Sequence, residues 1–251
     1  MRLLLLIAMM VAGCCSSYRP SPHRPTSRWS LADDATVLHG IESLTPAQAR
    51  GVAMDRVGTL YLPDLRTIDK KVASALAGTK ASSLHLCGLE DLDAESATEL
   101  ARYRSHGDRV LCLDGLVQAR PEVLEALAKT ESWGLSLNGL RELDESCIRA
   151  LASRAWEFAH LELGGIRRFN EQAAAELRFL KVKFCYLTGV EDLSLVAAEA
   201  LVKADIQDLN LTGLRKIDSQ VAAVLAAWER EGKSLAVCPS VRLIIDQAKP
   251  R

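Results

Sequence analysis

The stretch SLNGLRELDESCIRALA, Ser136 to Ala152, opens with alternating leucines, turns on Gly139 and closes with apolar residues at helical spacing. Leu135 and Leu137 precede the glycine by four and two residues, and alternate residues of a strand share one face. Asp144 then offers a side-chain oxygen to the free amides of a first helical turn, and Ile148, Leu151 and Ala152 line one helix face. Strand, turn and helix are thus completed in a span too short to bury its own apolar side. Such a unit has to be repeated and stacked.

Repetition is what the chain contains. Taking the glycine as landmark, equivalent positions fall at Gly40, Asp64, Gly88, Gly115, Gly139, Gly165, Gly189 and Gly213, in steps of 24 to 27 residues, with Pro239 opening a partial last copy. Aliphatic pairs precede the landmark, as at Leu84 and Leu86, Leu161 and Leu163, and Leu209 and Leu211. The residue after it is always aliphatic: Ile41, Leu65, Leu89, Leu116, Leu140, Ile166, Val190, Leu214. Five residues after it stand Thr45, Asp69, Asp93, Arg120, Asp144, Asn170, Ser194 and Asp218, cap residues in every case but Arg120. Arg120 is followed by Pro121, and Pro46 holds the same place, the first helical position where a missing N–H costs nothing.

Composition agrees with a stack of similar layers. Aromatics make up only 5% of the chain and hydrophobic residues 49%, with a formal net charge of -1 from 31 basic and 32 acidic residues. That balance supplies no general attraction to nucleic acid or to an anionic membrane face.

This pattern resembles the leucine-rich repeat family, particularly secreted bacterial arrays written L-x-L-x-G-L-x-x-L-x-x-x-x-A-x-x-L-A, over about Thr36 to Leu243. The resemblance implies an α/β solenoid of about eight strand-turn-helix repeats plus a partial terminal repeat, occupying 35–251, with its strands on a concave side. The aliphatic column after the landmark departs from the Asn or Cys of the broader consensus. The family mostly binds proteins, and less often glycans, through the concave strands.

The residues before 35 are read apart from the repeats. MRLLLLIAMMVAGCC has Arg2, then an apolar run from Leu3 to Gly13 too short to span a bilayer, as in a secretory signal peptide. Val11-Ala12-Gly13-Cys14 resembles the lipobox of bacterial lipoproteins, which implies cleavage after Gly13 and lipidation of Cys14. With Cys15 rather than Asp in the next position, the outer membrane is favoured where two membranes exist. Residues 14–34, rich in Pro, Ser and Arg, read as a tether spanning on the order of 25 Å.

Candidate binding residues lie on the strand face turned away from the leucines. Three residues before each landmark stand Val37, Tyr61, His85, Cys112, Ser136, Glu162, Tyr186, Asn210 and Ala236; one before it stand His39, Pro63, Cys87, Asp114, Asn138, Gly164, Thr188, Thr212 and Cys238. Neither column holds Lys or Arg, so nothing there neutralises phosphates and a nucleic-acid partner is not expected. Tyr186, Phe184, Glu162 and His160 form an expected group on two adjacent strands, with Tyr61 and His85 as further contacts suited to a protein or glycan. The alternative is a solvated sheet face whose aromatics only pack on one another. Leu137 points inward and Ser136 outward, so Asp is expected to be costly at 137 and far less so at 136.

Five cysteines follow Cys15, namely Cys87, Cys112, Cys147, Cys185 and Cys238, and five free thiols are expected. Cys87 and Cys112 stand on neighbouring strands with a stagger of two residues, Cα atoms near 8 Å apart, beyond comfortable bridging. His85, Cys87, Cys112 and Asp114 make a two-by-two patch of zinc-type ligands. Side chains rising in parallel from a sheet are expected to converge poorly, so no metal or cofactor is expected. No G-x-S-x-G, phosphate-binding loop or H-E-x-x-H is present, and the chain is not expected to be an enzyme. The expected role is a lipid-anchored envelope protein that binds an envelope or extracellular protein, or a glycan. Self-assembly through VRLIIDQAKPR, where Leu243, Ile244 and Ile245 are a cap or a docking edge, and a metal or thiol enzyme at the Cys87 patch remain as alternatives.

Overall fold

The computed structural model describes residues 35–54, 58–104, 110–153 and 156–249, with backbone alone for 156–159. The expected signal peptide, lipobox and tether lie outside the described residues.

Nine strands alternate with nine helices among the described residues. The strands are β1 (Ala35–Val37), β2 (Thr59–Tyr61), β3 (Ser83–His85), β4 (Val110–Cys112), β5 (Gly134–Ser136), β6 (Trp156–Glu162), β7 (Val182–Tyr186), β8 (Asp208–Leu211) and β9 (Ser234–Val237). The helices are α1 (Pro46–Ala53), α2 (Lys70–Ala77), α3 (Ala94–Leu100), α4 (Pro121–Leu127), α5 (Glu145–Leu151), α6 (Glu171–Glu176), α7 (Leu195–Lys203), α8 (Ser219–Arg230) and α9 (Pro239–Ala248). All strands pair in parallel, in sequence order, in one open sheet. This is an α/β solenoid-like arrangement. Parallel crossovers share a hand, so an ordered sheet of this kind keeps its helices on one face.

The cap column explains why each helix begins where it does. Thr45, Asp69, Asp93, Asp144, Asn170, Ser194 and Asp218 are all N-caps that accept a backbone N–H three residues on, for example Val72 N–H to Asp69 at 2.8 Å and Cys147 N–H to Asp144 at 2.7 Å. Thr45 adds the reciprocal bond of a capping box, its own N–H reaching Gln48 at 2.9 Å. Arg120 makes no capping hydrogen bond, and Pro121 starts α4 instead.

The leucine columns form one continuous core. Leu84, Leu86 and Leu89 of one coil pack beside Leu111, Leu113 and Leu116 of the next, then Leu135, Leu137 and Leu140, all wholly or almost wholly buried. Each such side chain contributes on the order of 1.5–3 kcal/mol relative to exposure. The landmark glycines are required by closeness rather than by dihedral angle. A Cβ at Gly88 or Gly139 would lie 2.1 Å from the carbonyl oxygen of Pro63 or Asp114 in the preceding coil, and at Gly189 or Gly213 2.0 Å from that of Gly164 or Thr188. The second copy carries Asp64 in place of glycine; its carboxylate accepts the N–H of Gly40, which takes a φ of +73° in the coil before it, at 2.7 Å.

Departures from the 24-residue step have visible causes. The step to Gly165 carries two extra residues, and the register between β6 and β7 shifts by two, since Trp156 pairs with Val182 but His160 with Phe184. The last step is lengthened by α8, the longest helix among the described residues. The partial terminal copy has lost its turn: Cys238 is already the N-cap and Pro239 the first residue of α9. Val241 and Ile245 close the end of the core, while Leu243 and Ile244 are exposed. Of the expected trio, only Ile245 is a cap. No described helix is long and apolar enough to cross a membrane.

Candidate functional site on the open strand face

Opposite the helices, the strands present the two columns read from the sequence, and the register puts their members side by side. Tyr61 pairs with His85, His85 with Cys112, Cys112 with Ser136, Ser136 with Glu162, and Glu162 with Tyr186. Two distinct patches result.

The first spans β5 to β7. Pairing of His160 with Phe184 and Glu162 with Tyr186 makes these four residues contiguous, as expected. Their exposure differs from the expectation: Phe184 and Tyr186 are half-buried, but His160 is 4% and Glu162 6% exposed. The imidazole of His160 lies flat under the Tyr186 ring, centroids 4.3 Å apart, with Trp133 edge-on at 5.4 Å. Gly134, paired with His160, leaves the space; a Cβ there would come within 3.1 Å of the His160 Cβ. Glu162 is held from three sides. His160 Nε2 stands 3.1 Å from Oε1, and Oε2 accepts from Asn138 Nδ2 at 2.8 Å and from the Ser136 hydroxyl at 3.2 Å. Burial alone would raise the Glu162 pKa, but the hydrogen bonds from His160 and Asn138, the charge of His160 and the bond from Ser136 outweigh it and hold the carboxyl below its ordinary value.

Asn138 is the hub of this patch. Its side-chain amide nitrogen donates to Glu162 and Ser136, its backbone N–H donates to Asp114 at 2.9 Å, and its side-chain carbonyl oxygen, Oδ1, accepts the Gly164 N–H at 2.6 Å. Gly164 permits the approach, since a Cβ there would sit 2.7 Å from that carbonyl oxygen. Ser136, expected to be outward and tolerant, is 4% exposed and lies between Asp114 and Glu162. Ser136 is therefore buried rather than exposed, and an Asp there would bring a third carboxylate between half-buried Asp114 and buried Glu162, so the expectation of a mild effect is corrected. Asn138, Ser136 and Trp133 were not singled out as site residues. The two polar residues were visible in the columns; Trp133 stands just before β5 and outside them.

The second patch spans β2 to β4. The Tyr61 ring stacks on His85 with centroids 4.2 Å apart. Beside it the Cys87 and Cys112 sulfurs stand 3.2 Å apart. Although Cys112 pairs with His85 and not with Cys87, both side chains lean along the strand toward each other, which the stagger argument did not anticipate. One ligand atom each from His85, Cys87 and Cys112 lies within 4.8 Å of the others. The expectation of poor convergence is therefore corrected for these three. Asp114 is turned toward Ser136 and Asn138 instead. The sulfur pair is asymmetric. The hydrogen bond from Cys112 pulls Cys87 down to about 6 against the opposing effect of burial, with help from His85, whereas the same bond and burial drive Cys112 well up. Of the other cysteines, burial pushes Cys185 up to about 12 and Cys147 up to about 11, whereas the Ser240 hydroxyl beside Cys238 holds that thiol below its ordinary value.

Comparison with known proteins adds little to this geometry. No protein-family profile matches the chain. No curated protein matches it. Among solved structures, a crystal structure of a TLR13–ssRNA13 complex aligns at a TM-score of 0.36 and 17% identity, covering 66% of this chain and 27% of that one. The match thus spans about a quarter of the neighbour's length.

Proposed function

We propose that this is a leucine-rich-repeat-type protein, lipid-anchored through Cys14 in a bacterial envelope, the outer membrane where two are present, that binds another envelope or extracellular protein through its open strand face. The observation that carries the reading is a nine-stranded, wholly parallel sheet with helices along one face. Parallel sheets are ordinarily covered on both faces, so the second face is available to a partner. Its centre holds half-buried Trp133, Phe184 and Tyr186 around a polar core, a composition suited to protein contacts and compatible with a glycan. The role is one of binding, not catalysis.

Capture of neighbours in the native envelope, followed by quantitative rebinding, tests the reading. Tyr186→Ala should weaken capture by on the order of 1–2 kcal/mol, about tenfold; because its ring covers His160, capture is measured at a temperature where the melting curve shows the variant folded. Lys203→Ala at the end of α7, 67% exposed on the helix side, should leave capture unchanged. The opposite pattern would move the binding surface to the helices. Cys14→Ser should abolish acyl labelling; persistent labelling would defeat the anchor.

A further inference from the structure

We propose that His85, Cys87 and Cys112 form a binding site for a single thiophilic transition-metal ion of the Zn2+ class on the open strand face. The site adjoins the β5 to β7 patch through Asp114 but shares no ligand with it, and it does not depend on the partner-binding reading. An imidazole nitrogen and two sulfurs converge within 4.8 Å of one another. Ligands at about 2.3 Å for sulfur and about 2.0–2.1 Å for nitrogen around a tetrahedral ion stand roughly 3.5–3.8 Å apart, so the sulfurs need spread only slightly from their 3.2 Å separation. The donor set selects the ion: thiolate and imidazole suit Zn2+ or Cu+ and disfavour Mg2+ and Ca2+.

The backbone favours an ion over a disulfide. Cys112 pairs with His85, which puts the Cys87 Cα two residues further along the neighbouring strand. The resulting Cα separation of roughly 8 Å exceeds what a disulfide spans without backbone movement. A sulfur–metal–sulfur link is longer and needs none. The surroundings help in two ways. Tyr61 stacked on His85 fixes the plane of the imidazole, and the Asp114 carboxylate, held by Ser136 and Asn138, adds negative charge without entering the ligand set. Cys87 is accessible to solvent, leaving the fourth position for water or an exogenous ligand.

Titration of reduced, metal-stripped protein with Co2+, followed by displacement with Zn2+, tests the site. One Co2+ per chain should bind with thiolate-to-metal charge-transfer absorption and tetrahedral visible bands, and Zn2+ should bleach them. Cys87→Ser and His85→Ala should each weaken binding by roughly 100-fold or more, and Tyr61→Ala, acting through orientation of His85, by about tenfold. Cys147→Ser should change nothing. The His85→Ala variant, at a half-buried position on the open face, is checked by its melting curve, so lost binding is not mistaken for lost folding. Absence of a saturable cobalt spectrum, or its persistence in both Cys87→Ser and His85→Ala, overturns the proposal. So does unreduced protein that yields a Cys87–Cys112 linked peptide and, once reduced, binds no metal.

Discussion

On the helix side of β5, Leu135 and Leu137 sit in columns that nearly every coil repeats; on the other side, Ser136 and Asn138 belong to a network with no counterpart among the described residues of the other strands. The two faces of one strand follow different constraints. Inside, each coil must match the shape of its neighbours, because stacked repeats share one core. Outside, no such matching is imposed, and residues are free to specialise. The open face itself divides again. Between β5 and β7 the polar groups satisfy one another and are covered by their own aromatics, while between β2 and β4 a half-buried His85 and a buried Cys112 gather beside an exposed Cys87.

The strongest way to break this contrast is to charge the inner face. Leu137→Asp should cost about 4–5 kcal/mol in denaturant melts, because an unpaired carboxylate would be placed among stacked leucines. A cost below that of Asn138→Ala would contradict the assignment of faces. Next comes the turn. Gly139→Ala should cost about 3 kcal/mol, since its Cβ would meet the Asp114 carbonyl oxygen at 2.1 Å and both partners are backbone. Gly51→Ala in α1, with nothing within 4 Å of the new Cβ, should instead be neutral or stabilise by up to about 1 kcal/mol.

Smaller effects probe the outer face. Asn138→Ala should cost about 2 kcal/mol, as it strips Glu162 of a donor and leaves the Gly164 N–H without its acceptor. The pH dependence has a definite sign. Glu162 has a folded pKa below its ordinary 4.5, so its contribution is fully present above that value and is lost as pH falls through the folded value. Glu162→Gln should therefore flatten the acid limb of the stability profile below about pH 4.5 and leave the shape near neutrality unchanged. An unaltered acid limb would show that the carboxylate is not held as described.

What could be read from the sequence follows the same division. The caps were legible because their chemistry is local: Asp69 needs only the amides of its own helix, and Arg120 could be excused by Pro121 alone. The glycine column was legible as a period, although its cause, the carbonyl of the preceding coil, appears only once coils are stacked. Membership of the β5 to β7 patch was legible for Tyr186, Phe184, Glu162 and His160, since strand register follows from the repeat. Their burial was not, because it depends on Trp133 from outside the strand and on the gap at Gly134. The approach of the Cys87 and Cys112 sulfurs was not legible either, since it is set by rotamers and not by Cα spacing.

The smallest effect should come from the charges along the turns. Arg66 and Glu90, on successive coils, form an ion pair at 2.6 Å, yet their side chains are 59% and 64% exposed. The backbone already links the same positions, with Arg66 N–H donating to Glu42 and Glu90 N–H to Arg66. Arg66→Ala keeps both of those bonds and removes only a solvated pair, so it should cost no more than about 0.5 kcal/mol, less at high salt. A cost above roughly 1 kcal/mol, persisting in high salt, would mean that the outer charges help to hold the coils together, and the contrast between a period-bound interior and an unconstrained exterior would then have to be redrawn at the turns.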